Sequence, residues 1–207
     1  MMTASSRFWD RIADKYSRDP IADEAAYQRK LEVTRALFRP DMDVLEIGCG
    51  TGSTALIHAP HVRSITALDF SERMLEIARN KGAASGVDNI HFQWGDAAAL
   101  EQPDNRYDMV MAMSLLHLLA DPDATIRKAH AMLKPDGYFV TSTACLGDWM
   151  AWMRPIAPVG KAFGLLPELK VMTASDLVGK LEGAGFSIVH RWEPNRKAAI
   201  FLIGRKS

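Results

Sequence analysis

The residues best placed to do chemistry begin with a short glycine run. In "DVLEIGCGTGSTAL", Asp43 to Leu56, the glycines Gly48, Gly50 and Gly52 alternate with Cys49 and Thr51 between an apolar run and a helix-compatible one. Glycine at a strand-to-helix turn lets backbone N–H groups approach a ligand that a Cβ would exclude. The spacing is G-x-G-x-G, whereas the dinucleotide fingerprint is G-x-G-x-x-G and meets Ser53 here at its third glycine position. Taken alone, the loop also reads as a tight turn that holds nothing.

Two carboxylates follow it. Asp69 closes the next apolar run, "RSITALD", where a carboxylate can accept hydrogen bonds from both hydroxyls of a ribose. Asp96 closes the run after that, in "WGDA". A single aspartate at a strand end is usually a cap or a turn residue. With parallel strands, however, neighbouring carboxyl ends line one crevice, and Gly48, Asp69 and Asp96 converge there. His117, in "SLLHLL" past the fourth run, is the candidate general base, because imidazole titrates near neutrality. The same residue reads as a packed histidine on an apolar turn. His58, His61, His91, His130 and His190 have no clustered spacing and read as structural or exposed.

The elements that must position these groups alternate strand with helix, which argues for a parallel sheet covered by helices. Strands are expected over 43–48, 63–69, 89–95, 107–113 and 137–143. Ser71 can cap a helix carrying Met74, Ile77 and Ala78 on one face. Asp121 can cap another with Pro122 at its first position, running into the turn "KPDG". After a helix near 174–184, with Leu177, Val178 and Leu181 facing inward, "FSIVHRW" and "KAAIFLIGRK" follow with only "EPNR" between them. Two such strands pair antiparallel.

Composition removes several function classes. The 207 residues fit one domain that can bury a core without disulfides or metals. Lysine plus arginine and aspartate plus glutamate are 25 each, so no global field recruits a polyanion and nucleic acid is not expected. Cys49 and Cys145 lack metal-ligand spacing, and no metal is expected. The leading residues lack the apolar core of a signal peptide, and no apolar run approaches the ~18 residues of a membrane span. A reduced, cytoplasmic setting is the expectation.

These motifs, in this order, resemble the class I S-adenosylmethionine-dependent methyltransferases from about Val44 to Gly204. The closest likeness is to the small-molecule enzymes of ubiquinone and menaquinone biosynthesis. "VLEIGCGTG" resembles the first motif, with Glu46 as its acid; "ALDFSERML" the second; "WGDA" the third; "YDMVMAMSLLHLL" the fourth; and "LKPDGYFV" the approach to the fifth strand. The resemblance implies a Rossmann-like α/β fold, with a seven-stranded, mostly parallel sheet, helices on both faces, and strands 6 and 7 as an antiparallel hairpin. It implies S-adenosylmethionine as cofactor and S-adenosylhomocysteine as product. Asp69 would bind the ribose, Phe70 and Met74 would flank the adenine, Asp96 would take its amine, and Ala97 would offer its backbone. Cys49, Gly95, Met113 and Ser114 belong to the same cofactor set. Within an N-terminal helical cap over 1–40, Tyr16 of "FWDRIADKY" would close over the cofactor. Lys30 of "YQRKLE" would reach its carboxylate, or would lie on a solvated helix face.

The methyl acceptor is less constrained. No Asx-Pro-Pro-aromatic tetrapeptide follows the fourth strand, neither cysteine follows a proline, and two thiols are too few for arsenic methylation. Residues 145–172 sit where substrate-recognition insertions occur. There Trp149, Met150, Trp152 and Met153 recur at helical spacing. The stripe reads as a helix packed on the domain, or as a lid in which Trp149, Trp152 and Met153 meet an apolar or aromatic acceptor. A third reading is a weak membrane contact, with Arg154 and Lys161 beside the tryptophans. The expected activity is methyl transfer to a small molecule by a monomer or homodimer. The alternatives are a non-catalytic cofactor-binding module, a lipid or protein acceptor, and a nicotinamide-dependent oxidoreductase, which the glycine spacing and the hairpin disfavour.

Overall fold

The computed structural model describes residues 4–99, 103–162, 166–195 and 197–207. It contains two compact units, one ending at Asp96 and one beginning at Ala97.

The first unit opens with helices α1 (Ala4–Arg18) and α2 (Glu24–Arg35), followed by β1 (Asp43–Ile47), α3 (Ser53–His58), β2 (Ser64–Asp69), α4 (Glu72–Ser85) and β3 (Ile90–Trp94). β1 is buried from Val44 onward, as a strand covered on both faces must be. It pairs in parallel with β2, and β2 with β3, which sets Asp69 opposite Trp94. Ser71 caps α4 by accepting from the Met74 N–H at 3.2 Å. The hydroxyl of Ser71 in turn donates to Asp10 on α1 at 2.6 Å, and Asp10 also accepts from the Arg73 N–H. Asp14, one turn further along α1, pairs with the Arg73 guanidinium. The N-terminal helix is thereby bound to the first turn of α4.

The second unit holds β4 (Tyr107–Met113), α5 (Pro122–Met132), β5 (Leu133–Ala144), α6 (Ile156–Ala162), α7 (Ala174–Gly183), β6 (Phe186–Trp192) and β7 (Ala199–Lys206). β4 and β5 are parallel, while β7 runs antiparallel to both β5 and β6. The strand order of the seven-stranded sheet is β3-β2-β1-β4-β5-β7-β6. Asp121 caps α5 ahead of Pro122, and Thr173 and Asp176 close a reciprocal capping box on α7.

Two expectations need correction. β5 begins at Leu133 rather than at Gly137, because "KPDG" is looped out inside the strand. Tyr107 faces Leu133, and the register resumes only with Met109 opposite Tyr138. Asp136 takes φ 64° there. The second correction concerns the Trp149 and Trp152 stripe, which is not on an α-helix. The chain makes two single 3₁₀ turns, Leu146–Asp148 and Ala151–Met153, and α6 begins only after Pro155. Gly147 explains the first break: its N–H bonds to the Met172 carbonyl, and a Cβ there would lie 2.8 Å from the Met172 backbone. Pro155 explains the second, because it has no N–H to continue a helix from Ala151. Residues 163–165 of the expected lid lie outside the described residues.

Candidate functional site

In the first unit the glycine loop is fixed by backbone bonds to the end of β2. The Gly48 and Cys49 N–H groups both donate to the Leu68 carbonyl, at 2.7 and 2.9 Å. Gly48, Gly50 and Gly52 all have positive φ, a conformation that L side chains resist. Beyond that, the last two serve different purposes. A Cβ on Gly52 would lie 2.9 Å from both the Ala78 Cβ and the Phe92 ring, so this glycine is required by packing against α4 and β3. A Cβ on Gly50 would meet only the Tyr16 ring, at 4.0 Å, which leaves the loop open on that side.

Asp69 is 5% exposed, and both its oxygens are engaged: Gly50 N–H donates to Oδ2 at 2.8 Å and Ser71 N–H to Oδ1 at 2.9 Å. Burial raises its carboxyl above the usual range, while the backbone donors of Ser71, Gly50 and Phe70 oppose that. Each oxygen retains a second acceptor position for a hydroxyl. Glu46, beneath the loop, is 2% exposed, and its Oε2 has no hydrogen-bond partner. Burial, then the Asp69 charge, pushes Glu46 up to about 8. The Cys49 thiol is raised well above its ordinary value by burial and by the same two acids, so it is no nucleophile.

Tyr16 and Tyr27 face these acids. Burial, then Asp69 and Glu46, raises the Tyr16 phenol; burial raises Tyr27, with Glu46 among the contributing charges. The Tyr27 hydroxyl lies 3.2 Å from Thr54 Oγ1 on α3. Lys30, one turn beyond Tyr27, is half-buried; burial lowers its pKa, and the charge acting on it is Asp23.

At the adenine end of the expected set, Phe70 is half-buried and its carbonyl accepts from Trp94 Nε1 at 3.0 Å. Met74 is only 2% exposed, because it sits on the inward face of α4 with Leu75 and Ala78. The Gly95 N–H bonds to the Asp69 carbonyl at 3.0 Å, which ties half-buried Asp96 to the end of β2.

Three participants were not anticipated from the sequence. Tyr27 was detectable in principle, being one helical turn from Lys30. Trp94, 55% exposed, stands beside the motif that drew attention only to Asp96. Lys81 on α4 donates to Thr51 and Ser53 around the loop, at 3.1 and 3.2 Å, and no local pattern announces it.

In the second unit Ala97 is buried, and its carbonyl accepts from Thr125 at 3.4 Å. Half-buried Met113 ends β4, and exposed Ser114 follows at φ 57°, held by its N–H bond to the Ser142 carbonyl. A non-glycine residue held in this region marks strain of the kind found at functional sites. His117 lies in the 3₁₀ turn Leu116–Leu118, with Nδ1 buried and unpartnered and its carbonyl accepting from the Lys170 N–H at 2.7 Å. Burial lowers it to about 4, so the expected titration near neutrality does not hold and the imidazole is neutral at pH 7. Trp149 and Trp152 are 39% and 59% exposed, against the packed-helix reading, and Met153 is half-buried. No group of three metal-ligating side chains occurs among the described residues. No described helix is long and apolar enough to cross a membrane.

The chain belongs to the methyltransferase domain family, whose model matches residues 38–175. S-adenosylmethionine is the cofactor this membership implies. The first unit fits it: an orphaned buried carboxyl oxygen and a second carboxylate lie beneath a loop open at Gly50. An uncharacterized methyltransferase of Bacillus subtilis, YcgJ, is 34% identical over 110 residues, covering 53% of this chain and 44% of its own. A ubiquinone biosynthesis O-methyltransferase of Coxiella burnetii is 31% identical over 125 residues, covering 60% and 53%. The chain thus spans about half the length of these curated relatives. The crystal structure of YcgJ superposes with a TM-score of 0.72 over 86% of this chain and 98% of that one, at 19% identity, a likeness of fold.

Proposed function

We propose that the chain transfers the methyl group of S-adenosylmethionine to a small, apolar or aromatic acceptor by in-line displacement. The observation that carries this reading is the buried pair Glu46 and Asp69 beneath the open glycine loop, an environment suited to a ligand with hydroxyls and a positive charge. When bound, the cofactor supplies an electrophilic methyl group on a sulfonium. The chain's contribution is then largely alignment. Asp69 accepts from the ribose hydroxyls with its remaining acceptor positions, Phe70 lies against the adenine, and Met74 backs it from within the core. Asp96 and Ala97 meet the adenine edge, while Met113 and Ser114 complete the set. Glu46 orients the methionine end, Tyr16 closes over it, and Lys30 takes its carboxylate.

The relative named for O-methylation in ubiquinone biosynthesis favours an aromatic acceptor of that kind. Trp149, Trp152 and Met153 would contact its apolar body. His117, being neutral, can accept a hydrogen bond from an acceptor hydroxyl or take its proton. The second role is hindered because burial destabilises the imidazolium.

Thermal unfolding tests the cofactor reading. Saturating S-adenosylmethionine, at about a hundred times its Kd, adds about 2.7 kcal/mol to a protein that binds it. For a chain of this size the shift in Tm is roughly 5–10 °C. Asp69→Ala is expected to abolish that shift while keeping a cooperative transition. An unshifted wild-type Tm would remove the proposal.

A further inference from the structure

Of the two buried carboxyls of the first unit, Glu46 has a buried oxygen, Oε2, with no hydrogen-bond partner. The charge acting on Glu46 is Asp69, and the charge acting on Asp69 is Asp10. Two cations of α4 stand at the loop: the Arg79 charge opposes the rise of the Cys49 thiol, and Lys81 donates to Thr51 and Ser53. Tyr16 on α1 and Tyr27 on α2 are phenols with raised pKa, and Cys49 in the loop is a thiol raised further still. For Lys30, also on α2, burial lowers the pKa and the Asp23 charge opposes that.

Two negative charges, both nearly out of water and one acting on the other, are costly, and a proton on one of them relieves that cost. The hydrogen bonds decide which. Asp69 receives backbone N–H groups at 2.8 and 2.9 Å, and these favour its ionised form. Glu46 Oε2 receives nothing.

We propose that Glu46 holds a proton in the cofactor-free chain and releases it when the α-ammonium group of the cofactor's amino-acid end comes to face it, so that binding expels one proton. This rests on the reading of the first unit as the cofactor site. The O–H bond of Glu46 breaks, the proton passes to buffer, and the carboxylate left behind faces the incoming cation. Cofactor affinity therefore rises with pH, by about tenfold per unit, as long as Glu46 is protonated in the free protein.

Calorimetric titration of the full chain with S-adenosylhomocysteine, which keeps the same amino-acid end, provides the test. It is run at about pH 6.5 in buffers of different ionisation enthalpy, where the expected release is about one proton per site. Glu46→Gln is expected to bind with no buffer dependence. If that variant does not fold, infrared difference spectra of the wild type decide instead. A protonated-carboxyl carbonyl band present in the free chain should vanish on binding. Binding without proton release, an unchanged carboxyl band, or release that persists in Glu46→Gln overturns this inference alone. No binding of S-adenosylmethionine or S-adenosylhomocysteine, by heat or by Tm, overturns the site reading and this inference with it.

Discussion

The glycine loop of the first unit and residues 145–172 of the second are both candidates for ligand contact, and they are built in opposite ways. In the loop, backbone groups are tied to Leu68 and Asp69 and one glycine is enclosed by Ala78 and Phe92. In the other region the chain is pinned at Gly147 and at Asp148, whose carboxylate accepts from the Ala174 N–H, while Trp152 stands largely in solvent and Trp149 is partly exposed. The first arrangement presents a ligand with fixed backbone. The second presents large side chains whose own packing contributes little to the fold. A loop that must recognise one cofactor benefits from rigidity, whereas a surface that meets an acceptor can be altered at low cost to stability.

The sharpest test of the enclosed loop sets its buried glycine against an open one elsewhere. Gly52→Ala combines left-handed strain, about 1–2 kcal/mol, with overpacking of about 1–3 kcal/mol against Ala78 and Phe92. A loss of roughly 3 kcal/mol in denaturant unfolding is expected. Gly179, inside α7, has open space where its Cβ would be, so Gly179→Ala should stabilise by roughly 1 kcal/mol. Equal effects at the two positions would mean that Gly52 is not enclosed as described.

Next in size is the response to pH, where two buried groups act with opposite signs. Burial lowers His58 to about 4. Its folded pKa lies below its unfolded one, so its neutral form supports the fold above about pH 6.5 and that support is lost toward about pH 4. The loss is at most about 3 kcal/mol. Glu46 is displaced the other way, to about 8. Its contribution is complete below the ordinary glutamate pKa and declines as pH rises through about 8. Between about pH 4.5 and 6.5 the two effects therefore oppose each other, and from about 6.5 to 8 the Glu46 loss stands alone. In urea titrations at several pH values the cofactor-free chain should weaken over that upper interval, and Glu46→Gln should remove the decline and uncover the His58 loss toward about pH 4. The smallest stability effect is expected from Trp149→Ala with Trp152→Ala, about 1 kcal/mol, because Trp152 is largely exposed and Trp149 partly so. Acceptor KM should rise while cofactor affinity is unchanged. A large loss of stability would instead make the region part of the core.

Much of the fold was legible because its signals are local. Strand-length apolar runs ending in Gly48, Asp69 or Asp96, the Ser71 and Asp121 caps, and the terminal hairpin each depend on neighbours in sequence. The parts that were not legible depend on distant partners. Lys81 reaches Thr51 across 30 positions, and Tyr27 reaches Thr54 across 27. The ionisation of His117 depends on how much of the chain closes around it. The Trp149 stripe misled because helical spacing is uninformative when a residue such as Gly147 is held by a remote carbonyl. The irregular start of β5 likewise comes from pairing with β4, which "KPDG" cannot reveal by itself.

The bond from Ser71 to Asp10 spans 61 positions, so the amino end of α4 is completed by a residue from the beginning of the chain. Asp10 and Asp14 place negative charge at that end, where the helix dipole favours it. Shortening the chain from its start would thus remove an anchor for the turn that follows Asp69. The damage would appear at the Asp69 corner proposed to hold the ribose, far from the cut in sequence, and α1 is better regarded as a strut for that turn than as a detachable cover.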